Sequence, residues 1–153
     1  MRSAILQLRS FCAYQERCHS EVREKALELG MRGEEVEQAM AELISENFLN
    51  EERYAGAFAG GKFRMQQWGR RKITAELQQK QVSAYCIKRG LAEIDEADYQ
   101  ATLEKLARKK WDSLGKDSLP KRRQKTWAYL AQKGYEPALI TPVLEKLGGR
   151  EDD

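Results

Sequence analysis

The sequence predicts an all-α protein made of three tandem three-helix repeats that form an elongated molecule. Apolar residues recur at three- and four-residue spacings along most of the chain, which is the period of a helix rather than of a strand. The 153 residues include only three prolines, and no valine- or isoleucine-rich alternation is long enough for a strand. Because 33% of the residues are charged, little apolar side chain is left for one large core, and we expect small cores arranged in series.

The ends of the predicted helices carry residues that commonly cap helices. Gly30 and Gly134 each follow a helical stretch, at the position where a left-handed cap is easiest for glycine. Ser83 and the pair Glu136-Pro137 suit helix starts. Each of these points therefore predicts a junction between two short helices.

Aligning these junctions reveals an internal repeat. Its anchor residues are Met31, Val82 and Tyr135, which stand 51 and 53 residues apart. Apolar residues follow each anchor at offsets of five, nine and twelve, which lie on one face of a helix. The predicted buried stripe comprises Val36, Met40 and Leu43, then Ile87, Leu91 and Ile94, then Ile140, Leu144 and Leu147. The preceding helices contribute Val22 and Ala26, Ile73 and Leu77, and Thr126 and Leu130, and the second of these pairs fits best.

A second signature follows the first two stripes. The run Leu49-Asn50-Glu51-Glu52-Arg53-Tyr54 resembles Ile94-Asp95-Glu96-Ala97-Asp98-Tyr99, since in both a capping residue with acidic neighbours opens a further helix. We therefore predict repeats at 1–49, 50–94 and 95–148, followed by an acidic tail, 149–153, that frays. Pro142 should kink the last helix or shift its start, and Gly90 should weaken the matching helix of the second repeat.

The sequence also predicts a cytoplasmic protein. No apolar run approaches the length needed to cross a bilayer, and Gln7 and Arg9 interrupt the first residues before a signal-peptide core could form. The three cysteines, Cys12, Cys18 and Cys86, are an odd number in a chain without a secretory signal. We therefore expect reduced thiols rather than a disulfide framework.

Residue patterns typical of enzymes, metal sites and cofactor sites are weak. His19 lies near Cys12 and Cys18, but the set lacks the four-ligand spacing of a zinc module. The triplet Gly60-Gly61-Lys62 lacks the upstream glycine and the strand of a phosphate loop, and we interpret it as a helix-ending turn. Carboxylate pairs such as Glu34-Glu35 suit solvated first turns of helices. The sequence therefore predicts no catalytic residue, no cofactor and no metal site.

Charge is distributed unevenly along the chain. Residues 1–61 carry a net charge of −4, residues 62–134 carry +10, and residues 135–153 carry −3. A basic middle between acidic ends is typical of a protein that binds a polyanion or an acidic protein surface. A lysine-rich helix face that is simply solvated is the alternative interpretation.

The basic stretches each contain or adjoin an aromatic residue. They cover residues 62–72, 108–111 and 121–127, and include Trp68, Trp111 and Trp127. Arginine and lysine neutralise phosphates, and an exposed ring stacks on an unpaired base, so the pattern favours binding of single-stranded nucleic acid or of a filament. Alternatively each tryptophan is a core anchor, and the cations alone carry the binding.

Several of these runs together form a specific pattern. The central piece combines Leu49-Asn50-Glu51-Glu52-Arg53-Tyr54 with Trp68-Gly69-Arg70-Arg71-Lys72-Ile73 and Glu76-Leu77, and the third repeat adds Ala107-Arg108-Lys109-Lys110-Trp111 and Lys133-Gly134-Tyr135. Over residues 17–147 the chain resembles the RecX family of regulators of the RecA recombinase. It departs from the family where Gln81 replaces a glycine before the anchor and where Val22-Arg23 stands near a typical acidic-leucine pair.

The resemblance implies a curved array of helical repeats that lies in the groove of a RecA filament on single-stranded DNA. Such a protein would inhibit filament extension, ATP hydrolysis and strand exchange, and so modulate DNA repair and the SOS response. We expect a monomer that turns a discontinuous basic face toward the filament protein or its DNA. The predicted face comprises Arg64, Arg70, Arg71, Lys72, Arg108, Lys109, Lys110, Lys121, Arg122, Arg123 and Lys125. The alternative is a general single-stranded DNA-binding helical protein, which would bind DNA alone with a steep salt dependence.

Overall fold

The structure, a computed structural model, describes residues 2–152, and it describes side chains for residues 3–149. Within that range the chain forms nine α-helices and no β-strand, so the all-α prediction is confirmed. The helices are α1 (Arg2–Tyr14), α2 (His19–Glu28), α3 (Glu34–Ser45), α4 (Glu51–Gln66), α5 (Arg70–Gln79), α6 (Ala84–Leu91), α7 (Glu96–Ser113), α8 (Leu119–Lys133) and α9 (Pro137–Asp152). None of these described helices has both the length and the apolar character of a membrane span.

The described chain packs as two compact units. Unit 1 comprises the residues up to Gly60 together with Glu76–Glu93, and unit 2 comprises Gly61–Ala75 and the residues from Ile94 onward. Helices α4 and α5 each contribute one end to unit 1 and the other end to unit 2. The predicted segments 1–49, 50–94 and 95–148 are repeats of the sequence. Their use as domain boundaries stays a prediction. The fraying of the tail 149–153 also stays a prediction, since its side chains from residue 150 lie outside the described set.

The three repeat junctions share one backbone conformation. The residue before each anchor is left-handed, with φ of 91° at Gly30, 63° at Gln81 and 103° at Gly134. The amide of each anchor then donates to the carbonyl five residues earlier, at 3.0 to 3.1 Å. This is the hydrogen bond of a Schellman cap, which satisfies a carbonyl at the end of the first helix. The same turn therefore ends the second helix of each repeat, even where glutamine replaces glycine.

The predicted stripes are buried in all three repeats. The anchors Met31, Val82 and Tyr135 are buried, and so are all the stripe residues except Leu91, which is half-buried. The preceding helices also bury their predicted pairs in each repeat, including the polar Thr126. In unit 1 the stripe packs with residues of α1, among them Leu8 and Cys12. The helical periodicity therefore identified the core-facing positions correctly.

The predicted helix starts are also confirmed. Ser83 accepts a hydrogen bond from the Cys86 amide at the start of α6. In the second signature, Asn50 and Asp95 each accept a bond of 3.0 Å from the amide three residues later, at the starts of α4 and α7. Capping of this kind supplies acceptors for amides that have no partner within the helix.

The triplet Gly60-Gly61-Lys62 is not the helix-ending turn that the sequence predicts, because α4 continues through it to Gln66. Two helical glycines cost about 1 kcal/mol each relative to alanine. Directly after the triplet, however, Phe63 is buried and its ring packs 5.7 Å from that of Tyr99. Burying a phenylalanine contributes about 1.5 to 3 kcal/mol, which offsets the glycines and extends the helix.

Pro142 and Gly90 have roles that the periodicity did not indicate. Pro142 lies inside α9, and the helix begins five residues earlier, at Pro137, so its start is not displaced. Gly90 is buried in α6, and a Cβ there would lie 2.7 Å from the Ala55 carbonyl carbon and oxygen. The absence of a side chain at Gly90 therefore lets α6 approach α4 closely within unit 1.

Replacing Gln81 with glycine should stabilise the protein. A non-glycine residue in the left-handed region costs roughly 1–2 kcal/mol, and glycine avoids this cost. The greater freedom of glycine in the unfolded chain offsets about 0.5–1 kcal/mol of that benefit. Gln81→Gly should therefore raise the free energy of unfolding in urea by about 0.5–1 kcal/mol. The control Ala75→Gly, at an exposed position in the interior of α5, should lower it by a similar amount. Two effects of the same sign would contradict this account.

Gly90→Ala should destabilise the protein by about 1–3 kcal/mol, because the added methyl group overlaps the Ala55 backbone. The matched control is Gly61→Ala in α4, where a Cβ would have nothing within 4 Å. That control should stabilise the protein by up to about 1 kcal/mol, since alanine is the better helix former. Urea denaturation of both variants tests the pair, and equal effects would show that close approach is not what Gly90 provides.

Candidate functional site

The eleven predicted basic residues all lie in unit 2. The segments of that unit, 61–75 and 94–153, contain 17 basic and 11 acidic residues, whereas the rest of the chain contains 10 and 13. The predicted residues lie at the end of α4, at the start of α5, in the second half of α7 and in the first half of α8. The basic character of the sequence is therefore a property of one compact unit.

Arg70, at the start of α5, is held by contacts within unit 2. Its guanidinium donates to Glu136 at 2.8 Å and also pairs with Glu96. It lies 3.9 Å from the ring centroid of Tyr99, whose hydroxyl donates to Glu136 and accepts the Arg70 backbone amide. Only 22% of the Arg70 side chain is exposed. This network joins the start of α5 and the start of α7 to Glu136, the residue before α9. It leaves Arg70 little freedom to bind a partner.

The protonation states of the network agree with this structural role. Burial, together with the hydrogen bond to Glu136, raises the pKa of Tyr99 well above its ordinary value, so the hydroxyl remains a donor. Burial works against the charged form of Arg70, but the hydrogen bond and charge of Glu136 outweigh it and raise the pKa of Arg70. The arginine therefore stays charged and paired.

Arg122, on α8, is likewise part of the packing of unit 2. It is buried, and its Nε donates to the Trp111 carbonyl at 2.9 Å. Its guanidinium also lies 4.6 Å from the centroid of the Trp111 ring. Since Trp111 is in the last turn of α7, the arginine supplies a donor and a positive charge at the negative end of that helix.

Three other predicted residues are partly engaged by neighbours. The Lys72 ammonium lies 4.6 Å from the centroid of the Trp68 ring, and the Lys110 ammonium lies 5.2 Å from that of Tyr129. Lys125 pairs with Asp117 at 2.9 Å on the surface. Contacts of this kind contribute about 1 kcal/mol or less at exposed sites. They therefore do not prevent these lysines from binding an anion.

The remaining six residues are exposed: Arg64, Arg71, Arg108, Lys109, Lys121 and Arg123. Arg108 lines a cavity of about 270 Å³ between α7 and α9, where Lys105 and Lys146 join it and Val143 and Leu147 form an apolar floor. The sequence analysis missed both lysines. Lys105 stands one helical turn before Arg108, a spacing that could have indicated it, whereas only the tertiary structure brings Lys146 to this cavity.

The three tryptophans occupy different environments. Trp111 is a core residue with 1% exposure, as the core-anchor interpretation predicts. Trp68 is half-buried, with the Lys62 and Lys72 ammonium groups 4.9 and 4.6 Å from its ring centroid. Trp127 is 39% exposed and lines a groove of about 590 Å³ with Arg123. The core-anchor interpretation is therefore correct for Trp111 and wrong for Trp127.

Comparison with protein-family models gives two matches. The model described as RecX, second three-helix domain, matches residues 50–91, and the model described as RecX, third three-helix domain, matches residues 96–144. The two matches lie side by side and each spans one predicted three-helix repeat. The tandem three-helix organisation is therefore confirmed for the second and third repeats.

Relatives called "Regulatory protein RecX" match most of the chain. The Clostridium perfringens (strain 13 / Type A) protein is 33% identical over 133 residues, which are 86% of this chain and 62% of the relative. The Lactobacillus gasseri protein is 29% identical over 98% of this chain and 55% of the relative. The chain thus spans little more than half the length of these relatives. The Chromobacterium violaceum protein is 32% identical, and the match covers 78% of this chain and 73% of the relative.

A solved structure has the same fold. The crystal structure of RecX from Lactobacillus salivarius superimposes with a TM-score of 0.84 and covers 96% of this chain and 98% of its own. Because the sequence identity is only 19%, this likeness bears on the fold rather than on particular contacts.

Arg70 and the adjacent Arg71 should respond differently to neutralisation. Arg70→Gln removes charge-assisted hydrogen bonds to two carboxylates and should lower the free energy of unfolding by about 1.5–3 kcal/mol. Arg71→Gln removes an exposed charge, and its effect should stay within about 0.5 kcal/mol. Urea denaturation of the two variants checks this difference. Equal stabilities would mean that the network around Tyr99 does not require Arg70.

Proposed function

The chain belongs to the RecX family, and on that basis we propose that it regulates the RecA recombinase by binding the filament that RecA forms on single-stranded DNA. In this proposal the protein catalyses no reaction. It lies in the filament groove, where it inhibits filament extension, ATP hydrolysis and strand exchange, and it thereby modulates DNA repair and the SOS response. The observation that carries the proposal is the match of residues 50–91 and 96–144 to RecX three-helix domains.

The distribution of exposed charge supports this proposal. The exposed cations of unit 2 can neutralise DNA phosphates or pair with carboxylates of the filament protein. Arg71, Lys109 and Lys121 are exposed members of three different predicted clusters. We assign the binding role to exposed cations such as these, and a structural role to Arg70 and Arg122, whose contacts lie within unit 2.

The test is inhibition of RecA ATP hydrolysis on single-stranded DNA, with binding of the protein to the same DNA measured without RecA. We expect wild-type protein to inhibit at concentrations too low to coat the DNA. Inhibition only when the DNA is saturated would contradict filament regulation and would make the protein a general single-stranded DNA binder. That alternative also predicts tight binding to DNA alone with a steep salt dependence.

The triple variant Arg71→Gln, Lys109→Gln, Lys121→Gln should inhibit ATP hydrolysis about tenfold less effectively than the wild type, since each lost phosphate or carboxylate contact weakens association. A matched control, Arg23→Gln, Lys88→Gln, Arg89→Gln, removes three exposed cations from unit 1 and should leave inhibition within about twofold. If both triple variants lose inhibition equally, net charge rather than the basic unit determines binding.

A further inference from the structure

We infer that Trp127 is a base-stacking residue that holds an unpaired nucleobase of single-stranded DNA in the groove between α8 and α9. This inference rests on the proposed function, because it supplies a direct DNA contact within the filament complex. The inference also goes beyond the proposed function, because it assigns a role to one side chain and one groove.

The three tryptophans differ in how accessible their rings are. Trp111 is enclosed in the core beneath Arg122, and Trp68 lies beside two lysine ammonium groups. Trp127, in contrast, is 39% exposed although it is a large apolar side chain. An indole ring at the surface of a groove offers a flat face to a base, and stacking of this kind tolerates any base because every base has a π face.

The groove has the size and lining of a ligand site. Its volume of about 590 Å³ lies within the range of roughly 300–1,000 Å³ that is typical of small-molecule pockets. Trp127 and Leu144 provide apolar surface, and Arg123, Gln124 and Glu145 provide polar groups. Arg123 and Trp127 are four residues apart on α8, so they lie on the same face of the helix.

The charges around the groove favour a nucleic acid and orient it. Helix α8 carries five basic residues and no acidic one, which complements a chain of phosphates. Inside the groove, however, the Glu145 carboxylate repels phosphate and can accept hydrogen bonds from amino or imino groups of a base. The base therefore occupies the groove, and the phosphates run along exposed cations of α8 such as Lys121.

The Arg123 guanidinium lies against α9, where a Cβ added at Gly148 would stand 2.6 Å from its Nη2. This contact places a planar cation at the wall of the same groove. A guanidinium in that position can stack on a base or donate to its edge. The absence of a side chain at Gly148 lets the guanidinium lie against α9, and Gly149 lines the same groove.

The experiment compares two proteins on two oligomers at one moderate salt concentration. The proteins are the wild type and Trp127→Ala, and the oligomers are a deoxythymidine oligomer and an abasic oligomer of equal length. Trp127→Ala should bind the deoxythymidine oligomer about 5- to 100-fold more weakly than the wild type, and the abasic oligomer equally well. The same fold-loss on both oligomers, or on neither, would overturn the stacking assignment.

Two further measurements separate stacking from a loss of structure. The deoxythymidine oligomer should quench the tryptophan fluorescence of the wild type, and most of this quenching should disappear in Trp127→Phe, although that variant keeps a ring and most of the affinity. Tyr85→Ala removes another exposed aromatic residue, on α6, and should change neither affinity nor quenching. Quenching of equal size with and without Trp127 would overturn the inference.

RecA ATP hydrolysis distinguishes this inference from the proposed function. If wild-type protein inhibits below DNA saturation but Trp127→Ala weakens binding to both oligomers equally, the stacking site is wrong and the regulatory function stands. If Trp127→Ala weakens binding only to the deoxythymidine oligomer but the protein does not inhibit below DNA saturation, the regulatory function is wrong and the stacking site stands. Loss of inhibition by Trp127→Ala without any change in DNA binding would indicate that the groove holds a protein side chain, and would overturn base stacking.

Discussion

The constraint on which the fold depends is the left-handed turn that ends the second helix of each repeat. At Gly30, Gln81 and Gly134 the backbone takes a positive φ, and the next amide closes a hydrogen bond back onto the helix. This turn redirects the chain so that the anchor residue points inward and the following helix begins in the same register each time. A repeat of about fifty residues can therefore vary its surface while its core positions stay aligned.

At Gly134 the turn serves a second purpose. The Gly134 carbonyl accepts the Arg71 amide at 2.9 Å, and a Cβ on Gly134 would stand 2.5 Å from that of Lys72. The start of α5 thus packs directly on the junction between α8 and α9. Next to this contact, Arg70, Tyr99 and Glu136 exchange hydrogen bonds. The start of α5, which carries the exposed Arg71, is therefore held in place by contacts of the neighbouring, largely buried Arg70.

The same cationic composition serves two purposes in unit 2. Arg70 and Arg122 are planar donors that satisfy carboxylates and a carbonyl within the unit, where desolvation strengthens each contact. Arg71, Lys109 and Lys121 stay in water, where a charge contributes little to stability and is available to a polyanion. Neighbouring positions such as Arg70 and Arg71 thus differ: Arg70 is engaged inside the unit, and Arg71 is exposed and is assigned to binding in our proposal.

The sequence by itself determined the helices, the repeat, the buried stripes and the family, because helical periodicity and capping are local properties that each short segment carries within it. It also located the basic unit. Only the tertiary structure decided that α4 runs through Gly60-Gly61, that Gly90 lets two helices approach, that Arg70 and Arg122 are engaged internally, and that Lys146 joins Arg108. It also decided which tryptophan faces solvent. These outcomes depend on contacts between residues that are distant in the chain. The identity of a charged or aromatic residue in the sequence does not indicate whether its side chain is buried or exposed.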